Sequence, residues 1–363
     1  MTDSLLNKLR DNIKQTDQGL VRLLNRRARI SREIGTIKAG QGREVYDPSQ
    51  ESRIYDYLAD TNGGDLPLQS LQMIFREILS ASRMLQNPVT VAYLGPEASF
   101  AHLAAQSHFG GGSQFYPQVS IARIFAEVEK SKMTWGVVPV ENSLEGSVNL
   151  TLDCLMTTMS HIRAEIYLRI THCLLSLHKR MEDIEKIYSH PQALAQCQVW
   201  LRANLPHAVL IEMESTAAAA QKAAREKKGA AICSQAAAAL YGLNVFAEGI
   251  EDKSSNTTRF LVIGEGVGKP TGNDKTSLLF STPHQAGALH RALQCFADRG
   301  VNMMKIESHP VKDRLWEYLF FVDVAGHVQD EEMQQCLGDL RQKTAFVKIL
   351  GSYPLALIDG GRS

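Results

Sequence analysis

From Leu5 to Lys38 no proline interrupts the chain, and apolar residues fall at Leu6, Leu9, Ile13, Leu20, Leu23, Leu24, Ile30, Ile34 and Ile37. This heptad-like stripe predicts one helix, which at about 1.5 Å per residue runs roughly 50 Å. The stretch Ala39–Arg43 ends it, Asp47-Pro48 opens a second helix reaching about Asp60, and Leu68–Leu85 forms a third. A segment of fewer than ninety residues cannot bury so long a helix by itself. Three helices, one of them far too long, therefore predict an intertwined dimer.

The whole chain, 363 residues, exceeds one comfortable core. Its 44% apolar and 21% charged residues are those of a soluble globular protein. Lys+Arg and Asp+Glu both total 39, so no global field draws it to nucleic acid or membrane. The six cysteines make no CxxC pair, which argues against a zinc site, and they read as reduced thiols in the cytoplasm. The N-terminus has no signal-type apolar block, and no run approaches the roughly 20 apolar residues of a membrane span.

Asn87-Pro88 marks a boundary. Beyond it, short β-branched runs alternate with helical segments: strands at Val89–Leu94, Trp135–Val140, Lys186–Ser189, Ala230–Ser234 and Arg259–Ile263, with a helix at Phe100–His108. That alternation predicts an α/β domain with a largely parallel sheet, long enough for two lobes with a binding cleft between them. Gly264–Asp274 is a Gly-rich linker. After it come strand 275–281, helix 285–299, strands 301–308 and 315–324, helix 329–341 and strand 346–352, the ferredoxin-like βαββαβ order. The expected parts are thus 1–87, 88–265 and 275–363.

On the first helix Arg27 and Lys38 are eleven residues apart, within about 20° of one face. Arg10 lies seventeen residues before Arg27, roughly 25 Å along the axis, and can share a small site with it only from an antiparallel partner. Asp47 and Glu51 are spaced i,i+4 on helix two, as are Ser82 and Gln86 on helix three. Taken alone, these residues also read as solvated charges on a dimeric bundle.

Residues 1–87, through LLNKLRDNIKQTD, LLNRRARISREIGTIK, YDPSQES and ILSASRMLQ, resemble the all-helical chorismate mutases. The resemblance implies a Claisen rearrangement of chorismate without nucleophile or proton transfer. The protein would hold a dicarboxylate in its reactive conformer and aim donors at the ether oxygen. It implies that Arg10, from the partner, and Arg27 bind the carboxylates. Lys38 and Gln86 would face the ether oxygen, and Asp47, Glu51 and Ser82 would hold the ring hydroxyl and its neighbours. Gln50 stands where many relatives carry arginine, which predicts a weaker mutase.

VAYLGPEASFAHLAA, GVVPVENSLEGSVNLTLD, YSHPQALAQCQVWL, ESTAAAA and NTTRFLVIG, spread from about 91 to 264, resemble the prephenate dehydratases. The family's fold is two α/β lobes like periplasmic solute-binding domains, and its reaction expels CO2 and the ring hydroxyl as the ring aromatises. Glu141-Asn142-Ser143 follows a buried-looking strand at its C-terminal end, where α/β sites form. Ser189-His190-Pro191 precedes a helix start able to take a carboxylate, and Ser215 reads either as such a site or as a simple N-cap. The resemblance puts the essential hydroxyl at Thr258, with Asn142, Ser143, Ser189 and Gln196 as substrate-side partners and Glu141 and Glu214 as supporting groups. Whether Thr258 transfers a proton or lends a strengthening hydrogen bond stays open.

The tail resembles ACT domains, which bind amino acids between paired copies. The matching pieces are Gly287-Ala288-Leu289, Asn302 and Glu307-Ser308-His309-Pro310, and they imply a phenylalanine site that shuts the dehydratase down. His309 replaces the family's usual arginine, which bears on the local hydrogen-bond network. The full length thus resembles the bifunctional chorismate mutase–prephenate dehydratases. Two alternatives remain: a dehydratase whose front part only dimerises, and a non-enzymatic amino-acid sensor. No metal or organic cofactor is implied.

Overall fold

The computed structural model describes residues 2–41, 46–310 and 318–356. The expected helix end through Arg43, the start of the strand expected at 315–324, and the last residues of the tail lie outside them. The chain divides into two compact units. One holds the N-terminal helices with His108–Gln114; the other holds the rest, including Pro48–Arg53.

In the first unit, α1 (Thr2–Gly40) is a single helix of 39 residues. The shorter α2 (Pro48–Thr61) and α3 (Leu68–Gln86) follow. Pro88 denies Asn87 a helical conformation, and Asn87 is extended at φ −163°, ψ 131°, which ends α3. Helix α3 packs on α1 where Gly35 admits it: a Cβ there would sit 2.8 Å from Gln86 Cγ. Within this one chain, most of the apolar stripe of α1 remains uncovered. Leu9, Ile13, Leu20, Leu23 and Ile30 are all exposed, Ile13 to 61%.

In the second unit, the first lobe carries β1 (Thr90–Leu94), α4 (Phe100–Phe109), β2 (Gln114–Gln118), α5 (Ile121–Glu129), β3 (Trp135–Asn142), β4 (Gly146–Ser147), α6 (Asn149–Thr157) and β5 (His161–Arg169). The chain then crosses to the second lobe. There lie β6 (Cys173–Ser176), β7 (Lys186–Ser189), α7 (Pro191–Gln196), α8 (Gln198–Asn204), β8 (Val209–Glu212), α9 (Thr216–Ala223), β9 (Gly229–Cys233), α10 (Ala236–Tyr241) and β10 (Asn244–Glu248). It returns as β11 (Thr257–Gly264), which completes the first sheet in the order β2-β1-β3-β11-β5. The second sheet runs β10-β6-β9-β7-β8.

Neither sheet is largely parallel, contrary to the expectation from the alternating pattern. β1–β3, β7–β8 and β7–β9 pair in parallel, whereas β3–β11, β11–β5, β6–β9 and β10–β6 are antiparallel. The reason is the double crossing. The strand that enters each lobe from a crossover, β6 or β11, starts at the cleft, where its sheet neighbours end. The crossovers lie side by side, with Ile170 N donating to Asn256 O (2.8 Å) and Ile250 N to His172 O (3.1 Å).

The tail consists of β12 (Asp274–Ser281), α11 (Ala288–Asp298), β13 (Met303–Pro310), β14 (Tyr318–Ala325), α12 (Glu331–Lys343) and β15 (Phe346–Pro354). Its antiparallel sheet, β13-β14-β12-β15, has the ferredoxin-like order. That sheet shares a core with the first lobe: Ile162, Leu261 and Ile263 pack with Leu279, Phe321 and Leu350. At Gly351 a Cβ would lie 2.1 Å from Ile162 O, so β15 fits against β5 only because glycine stands there. A buried ion cluster crosses the same seam. Glu165 accepts from Arg259 Nε (2.9 Å) and Lys275 Nζ (2.8 Å), and Asp323 lies 2.6 Å from Arg259 Nη1.

Candidate active site

Thr258, the second residue of β11, stands directly opposite Asn142, the last residue of β3, so the ladder itself sets their side chains together. Asn142 Nδ2 donates 2.8 Å to Thr258 Oγ1 and 2.8 Å to Asn256 Oδ1. Asn142 Oδ1 accepts from the backbone N–H groups of Leu144 (3.0 Å) and Glu145 (3.2 Å). Both ends of this carboxamide are occupied. Asn256, 1% exposed, passes the connection on: its Nδ2 donates 3.0 Å to Gln196 Oε1, which also meets His172 Nε2 at 3.0 Å.

Five residues from both lobes and both crossovers thus form one chain of hydrogen bonds. What it leaves uncommitted is informative. Thr258 Oγ1 is held as an acceptor, which frees its proton for an incoming oxygen. Gln196 Nε2 is buried with no hydrogen-bond partner, a costly state unless a ligand completes it.

The structure redistributes the other expected partners. Ser189 is fully buried and donates 2.6 Å to Ile232 O. Ser143 is exposed, donates 3.0 Å to Ser255 O and accepts 3.0 Å from Thr257 N, which ties the second crossover to β3. Ser215 is the N-cap of α9, accepting 3.0 Å from Ala218 N. Glu214 is exposed, and Glu141 is bonded 2.8 Å to Lys305 of the tail. Helix α7 is short, starts with Pro191, and has its first free N–H, that of Gln192, capped by His190 Nδ1. Sequence reasoning missed Asn256 and His172. Asn256 stood at the head of the quoted NTTRFLVIG segment; His172, a single histidine before an apolar run, gave no signal.

In the tail, Gly287, Ala288 and Leu289 line a pocket of about 210 Å³ with His284, Tyr318 and Phe320. Gly287 adopts φ +75° at the N-cap of α11, a left-handed conformation that favours glycine. Asn302, Glu307 and Ser308 are not among its lining. Glu307 turns to the first lobe, where it accepts from Ser147 Oγ, and it also meets Lys305 Nζ of its own strand (3.2 Å). His309 Nε2 lies 2.8 Å from Asp153 Oδ1.

In the helical unit, Arg27 Nη1 donates to Ser82 Oγ, which itself donates 2.7 Å to Ile78 O. Lys38 and Asp47 are half-buried, and Gln86, seated against Gly35, has a buried Oε1 without a hydrogen-bond partner. Arg10 lies on the exposed N-terminal part of α1 and does not join Arg27 within this chain. Glu51 lies half-buried in the first turn of α2. Among the described residues no group of three or more His, Cys, Asp or Glu could hold a metal, and no helix is long and apolar enough to cross a membrane.

Three family descriptions match the chain in order: chorismate mutase type II over 9–87, prephenate dehydratase over 91–267 and ACT domain over 276–342. A bifunctional chorismate mutase/prephenate dehydratase of Aquifex aeolicus (strain VF5) is 44% identical over 357 residues, covering 97% of this chain and 99% of that protein. Among solved structures, the prephenate dehydratase of Arthrobacter aurescens in complex with L-Phe aligns with a TM-score of 0.68 at 34% identity. That alignment covers 74% of this chain and 90% of that one. GqqA, described as a novel type of quorum quenching acylase, aligns equally well (TM-score 0.68, 29% identity, 74% of this chain and 98% of that one), so the fold alone does not name the chemistry. The three-part match over nearly the whole length does: the chain belongs to the bifunctional chorismate mutase/prephenate dehydratase family.

Proposed function

We propose that the helical unit rearranges chorismate to prephenate and that the two-lobed cleft converts prephenate to phenylpyruvate, carbon dioxide and water. One observation carries the dehydratase assignment. A threonine hydroxyl with its proton uncommitted is linked through two asparagines to a buried glutamine whose NH2 group lacks a partner.

In this reading the Gln196 NH2 group holds a substrate carboxylate. The ring carboxylate leaves as CO2, and the electron pair of its C–C bond enters the ring as the C–O bond at the opposite carbon breaks. The hydroxyl departs with its pair and ends as water, so one proton is taken up from solvent per turnover. Thr258 donates a hydrogen bond that strengthens as the leaving oxygen gains charge; its hydroxyl is too weak an acid to surrender the proton near neutral pH. Asn142, Ser143 and Ser189 act by holding this frame, and Glu141 and Glu214 support it.

For the mutase step, Arg27 and an Arg10 supplied by a second copy bind the two carboxylates. Lys38 and Gln86 serve the ether oxygen, and Asp47, Glu51 and Ser82 the ring hydroxyl. The uncovered stripe on α1 supports a dimer through that helix. The tail pocket at Gly287-Ala288-Leu289 binds phenylalanine as feedback effector, with Asn302, Glu307 and Ser308 completing or transmitting the site. The working parts are 1–87, 88–265 and 275–363. Six unpaired cysteines, five of them buried, fit a cytoplasmic protein.

The test is incubation of the purified chain with chorismate alone, following chorismate, prephenate and phenylpyruvate. Conversion through to phenylpyruvate is expected, even with Gln50 beside Glu51. Persistence of chorismate while added prephenate is consumed would refute the mutase half. A dehydratase rate unchanged by millimolar phenylalanine would refute the effector site.

A further inference from the structure

The hydrogen-bond chain behind Thr258 has a direction, and that direction starts from the backbone. The N–H groups of Leu144 and Glu145 can only donate, so the atom of Asn142 they meet is its oxygen. Its nitrogen must then donate to Asn256 Oδ1 and Thr258 Oγ1. Asn256, having accepted, donates through Nδ2 to Gln196 Oε1. An amide oxygen only accepts, so His172 Nε2, 3.0 Å from that same Oε1, must carry the ring proton.

His172 is 3% exposed, and its Nδ1 has no hydrogen-bond partner. The ring edge-packs on Phe100 at 5.5 Å, while the Glu251 carboxylate accepts from the backbone N–H of His172 rather than from the ring. Nothing around Nδ1 would satisfy a second proton, and burial holds the imidazole below its ordinary pKa despite Gln196 and Glu251.

We propose that His172, as the neutral Nε2–H tautomer, and Asn256 are positioning residues of the dehydratase site. Together they clamp Gln196 Oε1 between two donors, so that the glutamine can offer a substrate only its NH2 group. A Gln196 amide free to rotate would present its oxygen to a carboxylate half the time and repel it. His172 and Asn256 sit on the two crossovers, so the clamp closes where the lobes meet. This rests on the dehydratase reading above.

The experiment uses the full chain with two substitutions, His172→Leu, which removes the donor, and His172→Gln, which restores an N–H near the Nε2 position. With prephenate, His172→Leu should lower kcat/KM roughly tenfold, carried mostly by KM because a ground-state carboxylate contact is loosened. His172→Gln should recover to within about threefold, a partial replacement of one hydrogen bond. Chorismate consumption, measured on the same samples, should be unchanged, and urea unfolding of each variant, with a midpoint near that of wild type, reports that the lobes are folded. Nitrogen-15 spectra of ring-labelled histidine should show His172 protonated at Nε2 and bare at Nδ1.

A His172→Leu enzyme as active as wild type, a His172→Gln enzyme no better than His172→Leu, or an Nδ1–H signal would each overturn the proposal. If the wild-type chain leaves prephenate untouched, the dehydratase reading fails instead. The tautomer spectrum then decides the His172 assignment by itself.

Discussion

Replacing Thr258 by valine keeps the shape and β-branching of the side chain while exchanging one hydroxyl for a methyl. Two separable losses follow. Asn142 Nδ2, which donates 2.8 Å to Thr258 Oγ1 at a site only 9% exposed, loses an acceptor. Leaving such a buried donor unmade costs about 1–3 kcal/mol of stability. The second loss is the hydrogen bond to the leaving oxygen, which by analogy with the removal of one oxyanion donor costs roughly 10²–10³ in kcat, about 2.7–4 kcal/mol. Because that bond matters in the transition state, KM for prephenate should scarcely move. Thr258→Ser retains both bonds and should keep kcat within about tenfold of wild type. The assay is steady-state turnover of prephenate beside urea unfolding of the same protein, with chorismate consumption as internal control. If Thr258→Val keeps more than about a tenth of wild-type kcat, or loses activity only through KM, the threonine does not act on the leaving group and the mechanism is wrong.

Glu165→Gln would strip Lys275 of its carboxylate inside the seam between tail and first lobe, where all four side chains are at most 10% exposed. Unfolding should become easier by about 3–5 kcal/mol, and adding Lys275→Met should recover much of it, a coupling read by a double-mutant cycle in urea. A single-variant change below about 1 kcal/mol would refute the cluster's role. In the helical unit, burial and the Arg83 charge push the His108 imidazole down to about 3. Its folded pKa lies below the unfolded value of 6.5, so its contribution is fully present above pH 6.5 and is lost as pH falls toward 3. Over that window wild type should lose about 1.4 kcal/mol per pH unit relative to His108→Phe, and equal slopes in urea melts would contradict it. Leu20→Asp on the uncovered face of α1 should shift the sedimentation coefficient toward that of a monomer and abolish mutase turnover. A dimeric, active variant would show that α1 is not the seam.

The long, strongly periodic parts were the most legible. The stripe on α1 and the βαββαβ tail carry a pattern repeated over many residues, so local chemistry and tertiary fold agree. The central sheets were harder. β6, β8 and β10 are short and went unnamed, and strand direction has no local signature, which is why the antiparallel entries of β6 and β11 were missed. Motifs located Thr258, Asn142, Ser189 and Gln196 but could not say which were already spent. Ser189 is spent because a carbonyl 43 residues later, at Ile232, takes its proton. Glu307 likewise meets Ser147 across 160 residues of chain. Commitments of that span exist only after folding.

Gly351 against Ile162 has a mechanical consequence. With no room for even a methyl group between them, β15 and β5 cannot slide, and the tail is effectively riveted to the first lobe. The second lobe is joined to the first by two adjacent strands of backbone and by the buried Ser234 Oγ bond to Ala98 O (2.7 Å). A signal leaving the tail pocket therefore cannot pull that lobe directly. It has to travel through the first lobe as a small displacement of β11 or β3, and it reaches the reaction from beneath Thr258 and Asn142.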